Sequence, residues 1–197
     1  MELILASNNK KKLSEMRRIL AELGVEVVSQ REAGCDFEVD ETGTTFAENA
    51  YLKAKTVTDA TGKPAVADDS GLMVKALGGA PGIYSARFTG NHADSDEDRV
   101  RFLLKKLDGA ADRAAKFVSS ICCTFPDGDT LRAEGECRGS ILFAPRGENG
   151  FGYDPVFLPE GFDRSMAELS PDEKDAISHR GKALGIFKEE LKKYADK

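Results

Sequence analysis

The chain has 197 residues, of which 41% are hydrophobic, and it carries 28 Lys and Arg against 34 Asp and Glu. The resulting formal charge of −6 argues against a general nucleic-acid-binding surface, because such a surface needs an excess of cations to displace counterions. No apolar run approaches the length of a membrane span, and the first residues lack the basic start and long apolar core of a secretory signal, so we expect a cytoplasmic protein without a membrane partner.

The first third of the chain predicts alternating strands and helices, because short apolar runs alternate with segments whose apolar residues recur at helical spacing. Thr45 and Glu48 form a capping box, which predicts that a helix begins at Phe46. Gly24 and residues 62–64 are typical helix ends. In chain order the predicted elements are a strand at residues 3–6, a helix over about 13–23, a strand at 25–28, a helix at 46–61 and a strand at 65–67.

The rest of the chain predicts a hairpin between further helices. Asp127 and Gly128 form a typical hairpin turn between two β-rich segments. Helices are predicted to begin near Ser95, Ser170 and Ser178, each of which is a favourable N-cap. The inward-facing residues are predicted to be Val100, Leu103, Leu104 and Leu107 in the first of these helices and Ala183, Ile186, Phe187 and Leu191 in the last, and the two hairpin segments are 116–125 and 130–142.

These elements predict an α/β fold in which a mixed central sheet, flanked by helices, is split into two lobes with a cleft between them. We expect residues 1–197 to form one such domain. The cysteines have no CxxC spacing and the two histidines lie far apart, so we predict buried thiols and no metal cluster of these residue types. The residues concerned are Cys35, Cys122, Cys123, Cys137, His92 and His179.

A polar loop with lysines separates the first strand from the first helix. Backbone amides and the helix dipole at such a position favour an anion, and the composition of this loop suits a triphosphate. The glycines of a Walker A loop are missing. A solvated helix cap is the alternative interpretation of the segment, which consists of Ser7, Asn8, Asn9, Lys10, Lys11 and Lys12.

Asp68 and Asp69 follow an apolar run directly, which suggests a strand that delivers two carboxylates into a cleft. Mg²⁺ binds proteins through one or two carboxylates together with substrate phosphates, so the pair is a candidate metal site. A surface turn also favours Asp-Asp-Ser-Gly and is the alternative.

Phe151 and Gly152 follow a glycine-rich loop, and an aromatic ring beside glycine can offer a face for base stacking. A turn with core aromatics is the alternative. Lys174, His179 and Arg180 lie near predicted helix starts, where they can donate hydrogen bonds to a carbonyl or phosphate oxygen.

Six segments, in this order, resemble the inosine triphosphate pyrophosphatase family, which is also called Ham1-like. The resemblance covers nearly the whole chain. The segments are Ser-Asn-Asn-Lys-Lys-Lys at 7–12, Thr-Phe-Ala-Glu-Asn-Ala-Tyr-Leu-Lys-Ala at 45–54, Ala-Asp-Asp-Ser-Gly-Leu at 67–72, Gly-Gly-Ala-Pro-Gly-Ile-Tyr-Ser-Ala-Arg-Phe at 78–88, Phe-Gly-Tyr-Asp-Pro-Val-Phe at 151–157 and Ile-Ser-His-Arg-Gly-Lys-Ala-Leu at 177–184.

The resemblance implies hydrolysis of ITP, dITP and XTP to the monophosphate and pyrophosphate, a role in cleansing the nucleotide pool, Mg²⁺ as cofactor and a homodimer. It implies Asp69 as general base and metal-associated carboxylate, and Asp40, three residues before Gly43, as a second metal ligand. Glu48 is a further candidate for metal or water positioning, with its helix cap as an equal alternative.

The resemblance also implies the substrate contacts. Hypoxanthine and xanthine carry a carbonyl at position 6, which satisfies a donor such as Arg180, whereas the amino group of adenine faces it with another donor. The implied contacts are Lys12 and Lys53 for phosphate, Ser7, Asn8, Asn9, Lys10, Lys11 and Ser70 as further partners, Phe151 as the stacking face, Gly152, Tyr153 and Asp154 as shapers of the base pocket, and Lys174, His179 and Arg180 as residues that reach the purine.

Two rival functions stay open. One is a pyrophosphatase with a different base preference, for example for dUTP or methylated nucleotides, and the other is a nucleotide sensor that binds without hydrolysis. A covalent aspartyl phosphatase is disfavoured, because that chemistry uses Asp-x-Asp and the two acids here are adjacent. Asp175 stands where the family commonly has asparagine, and we expect it to modulate affinity only.

Overall fold

The computed structural model of the chain describes residues 1–91 and 93–196, so His92 lies outside the described residues. Within these ranges it contains six strands and five α-helices, linked by loops and short 3₁₀ turns. In chain order these elements are β1 (Glu2–Leu5), α1 (Lys10–Leu20), β2 (Glu26–Ser29), α2 (Phe46–Thr61), β3 (Ala65–Val74), α3 (Asp96–Lys106), β4 (Ala114–Thr124), β5 (Thr130–Ile141), β6 (Phe157–Pro159), α4 (Pro171–Ile177) and α5 (His179–Ala195).

The strands form one mixed sheet in the order β2-β1-β3-β4-β5-β6. β1 pairs in parallel with β2, where Glu2 lies opposite Glu26, and with β3, where Ile4 lies opposite Ala65. β5 and β6 are antiparallel. Parallel strands require a crossover connection. α1 connects β1 to its neighbour β2, and α2 connects β2 to β3, which lies on the other side of β1. The predicted α/β class with a mixed sheet and flanking helices is confirmed.

The chain divides into two compact units, and each has its own hydrophobic core. Unit 1 comprises Met1–Asp69, Ser119–Gly135 and Arg180–Lys197, and unit 2 comprises Ser70–Val118 and Glu136–His179. The largest fully buried side chains include Leu3, Leu5, Met16, Leu20, Ile121 and Phe187 in unit 1 and Leu72, Leu103, Leu107, Ile141 and Phe157 in unit 2. The boundaries between the units fall inside β3, β4 and β5 and after the first residue of α5.

Local sequence explains the helix starts. Thr45 caps α2 by accepting from the Glu48 amide at 3.1 Å. Ser95 and Asp98 form a reciprocal capping box at the start of α3, and Ser170 does the same with the third residue of α4. These caps satisfy amides that have no partner inside the helix, and they confirm the predicted starts.

Two predictions about secondary structure and burial are wrong in detail. β3 continues to Val74, so Asp68 and Asp69 lie inside a strand and not at its end, because buried Leu72 and Val74 keep the chain in the sheet beyond the Ser-Gly pair. Ile186 was expected to face inward, but it is 49% exposed. The buried stripe of α5 repeats every four residues, at Ala183, Phe187 and Leu191, and position 186 lies off it.

The cysteines behave as predicted. Within the described residues all four are free thiols and buried. In the same part of the chain, no helix combines the length and apolar character needed to cross a membrane.

Candidate active site

The loop between β1 and α1 is shaped by its own side chains. Asn9 is the N-cap of α1, and its Oδ1 accepts from the backbone N–H groups of Lys11 at 3.0 Å and Lys12 at 3.1 Å. Ser7 Oγ accepts from the Asn9 N–H at 3.1 Å. The loop therefore presents a helix N-terminus in a defined conformation, as an anion site requires.

The other residues of this loop are solvent-accessible. Asn8, Lys10 and Lys11 are exposed. Asn8 Oδ1 accepts from the backbone N–H of Arg31 at 3.1 Å, which ties the loop to the segment after β2. Lys12 is different, because its side chain turns inward to the acids of β3.

Asp68 is a buried carboxylate surrounded by donors. Its Oδ2 lies 2.8 Å from Lys12 Nζ and 3.1 Å from Arg180 Nη2, and its Oδ1 accepts from Ser119 Oγ at 2.5 Å. Burial alone would raise the pKa of Asp68, but the charges of Arg180 and Lys12 outweigh it and hold this pKa well below the usual range. Asp68 is thus a permanent anion whose oxygens are satisfied.

The next residue in β3 has the opposite environment. Asp69 Oδ1 is 2.8 Å from Lys53 Nζ, whereas Asp69 Oδ2 is buried and has no hydrogen-bond partner among the described residues. Burial raises the pKa of Asp69 against the lowering effect of Lys53. A buried carboxylate oxygen without a donor is unfavourable on its own, so its presence points to a ligand or a proton-transfer role.

Lys53 connects Asp69 to a second acid. Its Nζ lies 2.8 Å from Glu41 Oε1 and 3.1 Å from the backbone oxygen of Asp68. Burial would lower the pKa of Lys53, but the two carboxylates outweigh that effect and raise it. Lys12 also donates to the Asp68 oxygen, at 3.2 Å, and burial lowers the pKa of Lys12 despite its pairing with the Asp68 carboxylate. Two ammonium groups therefore converge on one backbone carbonyl.

The donor set suits a hard divalent cation such as Mg²⁺. The unpartnered Asp69 Oδ2 is a carboxylate oxygen, and Asp40 carries an exposed carboxylate in the segment that leads to Glu41. Within the described residues, no group of three or more His, Cys, Asp or Glu side chains forms a complete cage. Mg²⁺ does not require one, because it is commonly held by one or two carboxylates and the phosphates of its substrate.

The carboxylate of Glu48, the further candidate for this site, is bound to Thr44, the residue before the N-cap of α2. Its Oε2 accepts from the Thr44 N–H at 2.7 Å and from Thr44 Oγ1 at 2.9 Å. These hydrogen bonds lower its pKa. Glu48 thus holds the residue before the helix, and the proposed Thr45–Glu48 box is formed on one side only, by Thr45.

In unit 2, Phe151 is fixed by a buried ion pair. Lys174 Nζ lies 2.8 Å from Asp154 Oδ2 and 4.6 Å from the centroid of the Phe151 ring. The same Asp154 oxygen accepts from the Phe151 N–H at 3.0 Å. Asp154 thus connects the backbone of the aromatic residue to the cation on its ring.

The neighbouring aromatic residues are anchored to the body of unit 2. The Tyr153 hydroxyl donates to the Ser85 backbone oxygen at 2.7 Å, and burial raises the pKa of Tyr153. The imidazole of His179 stacks on the Phe117 ring with centroids 4.7 Å apart and an angle of 13° between the planes. Tyr153 therefore has a structural anchor, which fits a pocket-shaping role better than direct contact with a base.

The structure changes the interpretation of Arg180. Its guanidinium was expected to reach a purine, but its side chain is only 3% exposed and is paired with Asp68 and with Glu15. A second surprise is Ser70, which is half-buried inside β3 because the strand runs on past the acids.

Sequence reasoning missed three unit 1 residues that contact the charged groups around Asp68 and Asp69. Glu15 pairs with Arg180, Ser119 donates to Asp68, and Glu41 pairs with Lys53. Glu15 follows Lys12 by three residues in α1, so it shares a helix face with it, and that spacing was the available indication. For Ser119, in β4, the sequence offered none.

The fold and these contacts define an α/β protein with three features in one unit: a helix N-terminus, two half-buried lysines and a carboxylate oxygen that has no partner among the described residues. This combination is typical of an enzyme that acts on a phosphorylated substrate. The model of the Ham1 family matches residues 3–190, and the chain belongs to that family.

Named relatives agree with this assignment. The chain is 53% identical to a dITP/XTP pyrophosphatase from Gloeobacter violaceus over 92% of this chain and 90% of that protein. It is 47% identical to a dITP/XTP pyrophosphatase from Aquifex aeolicus over 93% of both chains. Among solved structures, the Ham1 protein of Staphylococcus aureus is 43% identical to this chain, with a TM-score of 0.89. The match covers 98% of this chain and 100% of that protein.

Proposed function

We propose that this chain hydrolyses ITP, dITP and XTP to the nucleoside monophosphate and pyrophosphate, and so removes deaminated purines from the nucleotide pool. Membership of the Ham1 family and the dITP/XTP pyrophosphatase relatives support the reaction class. The single observation that carries the proposal is the buried Asp69 carboxylate, with Lys53 on one oxygen and no described partner on the other.

Asp69 and Asp40 are the residues that would hold Mg²⁺. When bound, the ion supplies charge neutralisation for the triphosphate and for the leaving pyrophosphate. Asp69 Oδ2 is the better supported ligand oxygen, because it is buried and unpartnered, whereas Asp40 contributes an exposed carboxylate.

The chain's own groups then carry the reaction. The positive end of the α1 dipole, together with Lys12 and Lys53, binds the triphosphate. A carboxylate oxygen of Asp69 orients the water that attacks the α-phosphorus and takes its proton. The bond from the α-phosphorus to the bridging oxygen breaks, and pyrophosphate leaves.

Recognition of the base is assigned to unit 2. Phe151 offers the stacking face, and the base must use the side of the ring that Lys174 does not cover. Lys174 and His179 are the candidate donors to the purine. We assign Arg180 to holding Asp68, since its guanidinium pairs with Asp68 and Glu15 and is only 3% exposed.

The remaining parts of the proposal concern setting and partners. We propose a homodimer in the cytoplasm, where nucleoside triphosphates are the substrate pool. Four buried free thiols suit a reducing compartment. The formal charge of −6 supports a small-molecule substrate over a nucleic acid.

The test is pyrophosphate release from ITP, dITP, XTP, ATP, GTP and dUTP, with Mg²⁺ and with EDTA, for the wild type, Asp69→Asn and Glu97→Gln. Glu97 is an exposed acid in the first turn of α3, and its variant controls for the loss of one charge. We expect Mg²⁺-dependent release confined to the inosine and xanthine nucleotides, abolished only in Asp69→Asn. Pyrophosphate release from a nucleotide with another base would keep the reaction but change the assigned substrate. Tight ITP binding by the wild type without pyrophosphate release would favour a nucleotide sensor.

A further inference from the structure

Two consecutive backbone amides beside the proposed stacking residue are each held by a carboxylate. The Phe151 N–H donates to Asp154 Oδ2 at 3.0 Å, and the Gly152 N–H donates to Asp96 Oδ2 at 2.7 Å. Asp154 belongs to the same turn as Phe151. Asp96 is the first residue of α3 and lies 56 positions away along the chain.

Asp96 does not behave like an ordinary acid at a helix start. The capping of α3 is performed by Ser95 and Asp98, which exchange hydrogen bonds with each other's backbone. Asp96 instead directs one oxygen to Gly152 and the other to Arg99, whose Nη2 lies 2.6 Å from Asp96 Oδ1. The first turn of α3 therefore has a capping acid and a separate acid for the aromatic loop.

The carboxylate is held in place from its other side. Arg99 Nη1 donates to the backbone oxygen of Asp94 at 2.6 Å, so the guanidinium is fixed as well as paired. Arg99 therefore restrains the Asp96 carboxylate through Oδ1, and Oδ2 is directed to the Gly152 amide. A hydrogen bond that a backbone amide donates to an ionised carboxylate is stronger than one between neutral groups.

The loop that receives this bond is closely constrained. Gly152 has φ of +63°, a left-handed conformation that favours glycine, and a Cβ at Gly150 would lie 2.1 Å from Asp154 Oδ2. A displacement of Gly152 therefore moves the turn that carries Phe151, because the turn has little room to adjust internally.

We propose that Asp96 is a positioning residue for the base-binding loop: by holding the Gly152 amide it sets the orientation of the Phe151 ring, and it does so without touching the substrate. The proposal rests on the proposed function, because it concerns the ring on which the base would stack. It predicts an effect on binding of the base and none on binding of the triphosphate.

The test compares Asp96→Ala, Asp96→Glu and Asp96→Asn with Glu97→Ala in the full chain. We expect KM for ITP to rise about tenfold in Asp96→Ala with kcat within about twofold, since lost uniform binding raises KM alone. Asp96→Glu keeps the charge at the helix start but misplaces the oxygen, so it too should raise KM. Asp96→Asn keeps an acceptor for Gly152 and should stay within about threefold, and Glu97→Ala should match the wild type.

Two further readouts separate positioning from a general structural defect. The inhibition constant of inorganic tripolyphosphate should be unchanged in all four variants, because that ligand has no base. The Gly152 amide resonance should move upfield in Asp96→Ala and Asp96→Glu and not in Glu97→Ala.

Three results would overturn the proposal. The first is an unchanged KM for ITP in Asp96→Ala and Asp96→Glu. The second is a parallel loss of affinity for ITP and tripolyphosphate, which indicates damage to the fold. The third is a wild type that hydrolyses none of the nucleotides, which removes the proposed function as well and is recognised without any variant. If Asp96→Ala does not fold, Asp96→Glu decides the question, because it preserves the acid at the helix start.

Discussion

The adjacent acids Asp68 and Asp69 should respond in opposite ways to the same substitution. We expect Asp68→Asn to destabilise the protein strongly, and Asp69→Asn to leave stability nearly unchanged while it abolishes hydrolysis. The reason is that Asp68 neutralises two cations inside unit 1, Lys12 at 2.8 Å and Arg180 at 3.1 Å, with a side chain that has no exposed surface. Asp69 pairs with Lys53, and Lys53 keeps Glu41 as a second partner when Asp69 is replaced.

The magnitude follows from these contacts. Removal of one member of a buried ion pair destabilises by about 3 to 5 kcal/mol, because the remaining charge is left buried without compensation. Arg180 retains Glu15 after the substitution, which places Asp68→Asn near the lower end, at about 3 kcal/mol. For a chain of this size that corresponds to a fall in melting temperature of roughly 6 to 12 °C. Asp69→Asn should change stability by less than about 1 kcal/mol, since burial already favours the neutral form of this side chain.

Urea unfolding and thermal melts measure the stability of both variants. Pyrophosphate release from ITP measures their hydrolysis. Glu97→Gln serves as the control for loss of a single surface charge. Equal stability of Asp68→Asn and Asp69→Asn would refute the distinction between Asp68, whose two oxygens both have donors, and Asp69, whose Oδ2 has no described partner. So would a strongly destabilised Asp69→Asn.

Three further predictions concern positioning, the aromatic turn and pH. Glu41→Gln removes one of the two acids that hold Lys53, so kcat/KM for ITP should fall about tenfold with little change in the urea midpoint. Glu38→Gln, at an exposed position of the same segment, should change neither quantity. Equal kinetics for the two variants would contradict the role of Glu41. Gly150→Ala should raise KM and lower the melting temperature more than Gly161→Ala, because both sites have positive φ but only Gly150 would clash, with Asp154. Glu173 has a pKa lowered to about 2 by Arg164 and by the Ser170 amide, so the native state binds fewer protons than the unfolded state. Its contribution is present above pH 4.5 and is lost as pH falls toward 2, so the gap in melting temperature between wild type and Glu173→Gln should narrow in acid, and a constant gap would exclude the effect.

Features that depend on near neighbours in the chain could be predicted from sequence. The capping boxes of α3 and α4 and the buried stripe of α5 follow from residues within one or two turns of each other. Ile186 shows the limit of periodicity, because three-residue spacing alone does not say which edge of the apolar stripe reaches the core. The length of β3 was missed for a similar reason, since a Ser-Gly pair resembles a turn until the burial of Leu72 and Val74 is known.

The difference between Asp68 and Asp69 could not be predicted, because partners far apart in the chain create it. Ser119 and Arg180 are 51 and 112 positions from Asp68, and no local pattern links them. Asp96 is a parallel case. Its place among acids at a helix start explains its residue type, but only the fold brings the Gly152 amide to it.

The backbone oxygen of Asp68 has a consequence for how this protein could diverge. Lys12 and Lys53 both donate to this carbonyl, at 3.2 Å and 3.1 Å, and no side-chain substitution removes it. The two ammonium groups therefore keep a common anchor when the acid at position 69 changes. Under the roles that we propose, a descendant of this chain that lost Asp69 would lose hydrolysis and keep both lysines in place. A nucleotide receptor would then lie one substitution away from the proposed hydrolase.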